Sequence, residues 1–328
     1  MKSRHLLLTL LLLFGPTGAI HAETFDQTLD KAQRGDATAQ IRLAEMYSNG
    51  EDVPEDDTEA VKWYQLAAKQ GNAYAQYSLG WAYSNGEGVP EDDTEAVKWY
   101  QLAAEQGVAG AQFRLGVMYD YGQGVPKDNT EAVKWYRRAA EQGLVGAQYM
   151  LGLSYDNGEG VPENDTEAFK WYRRAAEQGN ANAQTNLGVM YHYGQGVPKD
   201  NTEAVKWFRM AADQGYPGAQ FRLGLSYVLS KGVSQDHSEA FKWFRRAAEQ
   251  GHADAQYMLG AAYATGSGVP ENTIKAYVWM ILSKAQGNHS DALIQYMSDL
   301  KKTLAPEHIV KAQEMAERCL ESNHKDCD

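Results

Sequence analysis

Tryptophan recurs every 36 residues at Trp63, Trp99, Trp135, Trp171, Trp207, Trp243 and Trp279, so one unit repeated seven times makes up most of the chain. Glycine keeps the same step from Gly35 to Gly251, and tyrosine keeps it from Tyr47 to Tyr263. A period of this length signals a solenoid of stacked supersecondary units. Solenoids place their sites on faces assembled from several repeats.

In the second unit Ala75, Leu79 and Tyr83 follow one another at i, i+4, i+8 and share one face of a first helix. Gly80 stands where a side chain would hold the neighbouring helix away, and Gly88-Val89-Pro90 forms the connecting loop. Asp92 with Glu95 predicts an N-cap with a reciprocal carboxylate at N3, and Ala96, Trp99, Tyr100 and Ala103 predict the buried stripe of a second helix. The pair recurs as Asp56 with Glu59, Asp128 with Glu131, Asn164 with Glu167, Asp200 with Glu203 and Asp236 with Glu239. Capping explains these acids better than catalysis does.

The run Ala111-Gln112, Leu115-Gly116, Tyr119, Gly122, Gly124-Val125-Pro126, Ala132, Trp135-Tyr136, Ala139-Ala140 and Gly143 closely resembles the Sel-one-like repeat, a relative of the tetratricopeptide repeat. The resemblance covers residues 35–286 and implies an all-α fold, a right-handed α/α superhelical solenoid of stacked antiparallel helix pairs that serves as a scaffold or adaptor. Residues 23–34 then form an N-terminal capping helix. In the seventh unit Val278, Ile281 and Leu282 replace charged residues of the second helix, so residues 287–328 must cover an apolar face. Two amphipathic helices are predicted there, one with Leu293, Tyr296, Met297 and Leu300, the other opening at Pro306 with Ile309, Ala312, Met315, Ala316 and Leu320. The sixth unit has Ser230 and Ser234 in place of glycine and proline, which predicts a looser loop. Units three and four return in units five and six, a duplication that would suit a repetitive ligand and that recent copying also explains.

Residues 1–22 have the layout of a cleaved signal peptide: basic Lys2 and Arg4, an apolar run from Leu6 to Phe14, and a cut after Ala22. The run is too short for a resident membrane span, and the expected destination is the periplasm or the exterior. The formal charge is −12, and losing Lys2 and Arg4 takes it to −14. That balance disfavours nucleic acid and leans towards basic partners. Cys319 and Cys327 are the only cysteines, and an oxidising compartment favours a disulfide between them over a metal site with His324.

By the resemblance the first helices line a concave groove. The candidate contacts for a protein or peptide are Tyr77, Trp81, Phe113, Asp120, Tyr121, Tyr149, Asp156, His192, Tyr193, Phe221 and Tyr257. Trp81 is the sharpest of them, since equivalent positions hold Glu45, Val117, Leu153, Val189, Leu225 and Ala261. For Tyr77, Phe113, Tyr149, Phe221 and Tyr257, each following the Ala-Gln pair, wedging between hairpins competes with ligand contact. The pairs Arg137-Arg138, Arg173-Arg174 and Arg245-Arg246 read as solvated partners of nearby acids. No serine elbow, phosphate loop or zinc-type His-Glu pair is present, and no cofactor or metal is expected. The expectation is a non-catalytic scaffold with no need to exceed a monomer. The alternative is an envelope enzyme acting on peptidoglycan or β-lactams, as linked to a cysteine-rich branch whose cysteines this chain lacks.

Overall fold

A computed structural model describes residues 24–322, 324 and 327, which form seventeen α-helices and no strand. The signal segment lies outside the described residues. The chain divides into two compact units, residues 1–92 and 93–328.

The first unit holds α1 (Phe25–Gln33), α2 (Ala37–Asn49), α3 (Asp57–Lys69) and α4 (Ala73–Asn85), packed in sequence order. Helix α1 opens with a complete capping box, the Thr24 side chain accepting from the Gln27 amide and Gln27 reaching back to Thr24. Its Ala32 is buried with Ala39 and Leu43 of α2, so this helix closes the apolar end of the first repeat.

The second unit holds α5 (Asp93–Glu105), α6 (Ala109–Tyr121), α7 (Asn129–Glu141), α8 (Val145–Asn157), α9 (Asp165–Glu177), α10 (Ala181–Tyr193), α11 (Asn201–Asp213), α12 (Pro217–Val228), α13 (His237–Ala248), α14 (Ala253–Thr265), α15 (Thr273–Ala285), α16 (Asp291–Thr303) and α17 (Pro306–Glu321). Each first helix packs on its own second helix, and each second helix packs on the next first helix. The close approach depends on glycine. A Cβ on Gly116, Gly152, Gly188 or Gly224 would lie 2.6 Å from the ring of Tyr136, Tyr172, Phe208 or Phe244 respectively.

The expectations for the α5 stripe and for the N3 glutamates need correction. Trp99 is half-buried, whereas Trp171, Trp243 and Trp279 are buried; α5 buries Val97 and Ala104 beside Ala96, Tyr100 and Ala103. The N3 glutamates do pair, but with a lysine one turn on: Glu59 with Lys62, Glu95 with Lys98, Glu131 with Lys134, Glu203 with Lys206 and Glu239 with Lys242. The cap side chains still accept from the N3 amide, as Asp56 does from Glu59 at 3.0 Å. A glutamate that points along its helix gains an ammonium partner in place of one amide.

The sixth loop keeps its turn with serine in place of its first glycine, and Gly232 retains the second left-handed position. Ser230 takes a left-handed φ of 53°, its Oγ donates to the Val233 carbonyl at 3.3 Å, and Gln235 Nε2 donates to the Val228 carbonyl at 2.9 Å. At the C-terminus Val278 and Leu282 are fully buried in one cluster with Leu293, Leu300, Ala312, Ala316 and Cys319. Leu320, expected on that buried face, remains 37% exposed, because α17 turns its Ala312, Ala316 and Cys319 side inward. Cys319 and Cys327 form a disulfide, and His324 between them lies within hydrogen-bond distance of Gln286 at 3.2 Å.

Candidate functional site

The recurrent Ala-Gln pair has a role that the sequence reading missed. In every unit its glutamine is buried, and it donates to the last turn of the preceding helix: Gln112 Nε2 to the Ala104 carbonyl at 3.0 Å, Gln148 to Ala140 at 3.2 Å. Its own oxygen accepts from the glutamine that ends the second helix, as from Gln142 and Gln178 at 2.8 Å. The ladder recurs at Gln184 with Gln214 and Gln220 with Gln250. In the seventh repeat Gln286 turns to His324 instead, and the buried Gln256 oxygen has no hydrogen-bond partner among the described residues. The fixed spacing of 30 residues between the two glutamines was the available signal.

Among the candidate contacts of the second unit, the aromatic residues after the Ala-Gln pair are wedges. Phe113 packs on Tyr136 with ring centroids 5.9 Å apart, Tyr149 on Tyr172 at 6.0 Å, and Phe221 on Phe244 at 5.9 Å. Phe221 also stacks on His252 at 4.9 Å. These residues and Tyr257 are half-buried, which leaves an edge of each ring accessible.

Asp120 and Asp156 are tied to the same layer. The Tyr136 hydroxyl donates to Asp120 at 3.2 Å and the Tyr172 hydroxyl to Asp156 at 3.0 Å. Burial, followed by the adjacent carboxylate, pushes both phenols well above the usual tyrosine range, so they stay neutral donors. Each carboxylate is thus partly engaged before any ligand arrives.

Tyr121 and Tyr193 are different. They end α6 and α10 at equivalent positions two repeats apart, and they are 68% and 63% exposed. His192 meets Tyr193 edge to face at 4.7 Å. In the first unit Tyr77 and Trp81 are half-buried, and the Trp81 indole N–H donates to Glu87 at 3.1 Å. The structure therefore puts the open aromatic surface on Tyr121 and Tyr193 more than on Trp81. The substitution of asparagine by tyrosine at the helix end was the sequence signal.

The arginine pairs are occupied. Arg138, Arg174 and Arg246 lie over Trp135, Trp171 and Trp243 at 4.6 to 4.7 Å from the ring centroids. Arg173 and Arg245 pair with Glu177 and Glu249, and Arg137 donates to the Tyr155 hydroxyl of the next repeat at 2.6 Å. These guanidinium groups already have ring, hydroxyl or carboxylate partners on the second-helix face. No helix among the described residues is long and apolar enough to cross a membrane.

With this geometry in hand, comparison with known proteins places the repeat. The Sel1 repeat pattern matches seven consecutive segments, residues 37–72, 73–108, 109–144, 145–180, 181–216, 217–252 and 253–288. Each begins two residues after the glycine that opens the unit. No curated protein matches the chain. Among solved structures, a Sel1 repeat protein from Oxalobacter formigenes is 37% identical, with 84% of this chain and 79% of that one covered and a TM-score of 0.68. A protective antigen of uropathogenic Escherichia coli with an SLR fold is 26% identical, with 93% and 96% covered and a TM-score of 0.47.

Proposed function

The chain belongs to the Sel1 repeat family, a scaffold-type fold often used for protein interactions, and from that premise we propose that it is an exported, non-catalytic adaptor. Its partner is a protein or peptide segment held on the first-helix face of the second unit. The observation that carries this reading is the pair of exposed tyrosines, Tyr121 and Tyr193, at the same helix-end position two repeats apart.

A phenol ring anchors at low entropic cost because it has few rotatable bonds, and it offers an apolar face with a polar tip. The half-buried Phe113 and Tyr149 edges supply apolar surface between these anchors. A basic group on the partner would compete with the Tyr136 hydroxyl for Asp120, so the acids steer the encounter more than they hold the complex. Export rests on the layout of residues 1–22, and a disulfide between Cys319 and Cys327 agrees with an oxidising destination.

The test is a crosslinking pulldown with residues 23–328 beside a Tyr121→Ala, Tyr193→Ala variant of equal circular dichroism. A partner captured by the parent and lost by the variant supports the reading. Equal capture by both sinks it, and turnover of a peptidoglycan or β-lactam substrate, abolished by a point change, would make the chain an enzyme.

A further inference from the structure

Two residues on the first-helix face of the first unit have no counterpart in the other repeats. Glu45 stands where the others have Trp81, Val117, Leu153, Val189, Leu225 and Ala261, and Tyr74 stands where they have Thr38, Gly110, Gly146, Asn182, Gly218 and Asp254. The fold joins the two. The Tyr74 hydroxyl donates to the Glu45 carboxylate and accepts from the Tyr64 hydroxyl, with Ser78 in hydrogen-bond reach of both phenols. The Tyr64 and Tyr74 rings meet edge to face, their centroids 6.5 Å apart. Burial of its hydroxyl end, followed by the Glu45 carboxylate, pushes the Tyr74 phenol up to about 12, so it stays a neutral donor while 36% of the residue remains exposed.

The hydrogen bonds converge on one carboxylate, and no cation joins them. Glu45 is half-buried and enters no ion pair among the described residues. The only other charged residue of α2 is Arg42, one turn before Glu45, and it is engaged by Glu51 at 2.6 Å. Helix α4 has no charged residue, and Arg34 and Lys62 of the neighbouring helices pair with Asp30 and Glu59. The local balance is therefore one uncompensated negative charge. A carboxylate offers about four acceptor sites, so capacity remains at a half-buried anion after Tyr74 has donated to it. A charged donor satisfies that capacity best.

We infer that this cluster is a socket for one arginine side chain of a partner protein, its guanidinium paired with Glu45 and laid against the exposed part of the Tyr74 ring. A planar guanidinium meets both demands at once, since it forms charged hydrogen bonds in its own plane and stacks on an aromatic ring with its face. Lysine would supply the charge without the plane. The chain already joins arginine to tyrosine in this way between its own repeats. Arg137 donates to the Tyr155 hydroxyl at 2.6 Å with its guanidinium carbon 5.6 Å from the ring centroid, and Arg209 does the same to Tyr227 at 2.6 and 5.8 Å. The socket belongs to the first compact unit and shares no residue with the Tyr121 and Tyr193 face of the second, so either reading can fail without the other.

The test titrates 15N-labelled residues 23–328 at low salt with N-acetylarginine amide, with its neutral isostere N-acetylcitrulline amide, and with N-acetyllysine amide, and follows backbone amides by nuclear magnetic resonance. The arginine probe is expected to shift the Glu45 and Tyr74 amides saturably, the citrulline probe to leave them in place, and the lysine probe to bind more weakly. Glu45→Gln should weaken arginine binding by about tenfold or more and Tyr74→Leu by about two- to fivefold, while Glu163→Gln in the second unit leaves it unchanged. Circular dichroism checks that every variant is folded, and the citrulline comparison decides on the parent protein alone if Glu45→Gln is not. No saturable shift at these amides, equal shifts from citrulline, lysine binding as tight as arginine, full binding by Glu45→Gln or Tyr74→Leu, or loss of binding with Glu163→Gln would each overturn the proposal.

Discussion

Replacing Gly116 by alanine tests whether the helix-to-helix distance in each repeat is set by one ring against one glycine. The added Cβ would lie 2.6 and 2.7 Å from Cδ1 and Cε1 of Tyr136, and 3.2 Å from the Ala132 carbonyl oxygen. Comfortable carbon contacts are about 3.5–4.0 Å, so the ring must move by about 1 Å. It has little freedom to do so, being buried, packed against Phe113 and hydrogen-bonded to Asp120. Overpacking of this kind costs about 1–3 kcal/mol, whereas alanine gains about 0.5–1 kcal/mol over glycine as a helix residue. The net expectation is a loss of about 1–2 kcal/mol, read from urea unfolding by far-ultraviolet circular dichroism. With Tyr136→Leu present the ring is gone, the propensity gain stands alone, and Gly116→Ala should become neutral or stabilising. The coupling between the two sites is thus about 2 kcal/mol. Gly260→Ala, which would meet the Ala276 carbonyl oxygen and the unbranched Met280 side chain, each at 3.0 Å and neither as close as the ring at Gly116, should cost less. A stabilising Gly116→Ala in the parent, or the same effect with and without Tyr136, would refute the reasoning.

Three further perturbations follow from particular groups. His252 caps α14 by accepting the Ala255 amide on Nδ1 at 3.3 Å, and burial holds its pKa below the ordinary histidine value. The unfolded chain binds the proton more readily, so stability should fall as pH drops through and below about 6.5, by at most about 1.4 kcal/mol per pH unit. His252→Asn, matching the caps Asn72 and Asn180, should flatten urea midpoints between pH 7 and 5, and an unchanged slope would exonerate this group. Ser230→Gly relieves a left-handed serine worth about 1–2 kcal/mol but gives up some backbone entropy and one weak hydrogen bond, so a gain of about 0.5–1 kcal/mol in thermal unfolding is expected. Cys319→Ser with Cys327→Ser opens a loop of separation 8, worth no more than about 2–3 kcal/mol. Freed from the tail, Gln286 should return to Gln256 and complete the last rung, visible as hydrogen exchange that quickens at the C-terminus but not in α14.

The repeat and its helix pairs were legible in one dimension, because a 36-residue period with apolar residues at helical spacing admits few other folds. Val278 announced a buried end-face by being apolar where every other unit has lysine, and it is buried in one cluster with residues of α16 and α17. Which aromatic residues are free was decided by tertiary structure alone. Trp81 is unique at its repeat position yet half-buried and hydrogen-bonded, whereas Tyr121 and Tyr193 stay largely exposed at their helix ends. Phe113, Tyr149 and Phe221 spend one face on the second-helix ring, and Asp120 and Asp156 spend an oxygen on its hydroxyl. Periodicity tells which side of a helix points inward, since that depends on spacing within one element. How much of a side chain is left for a partner depends on what the next element already touches, and that is settled only when the helices pack.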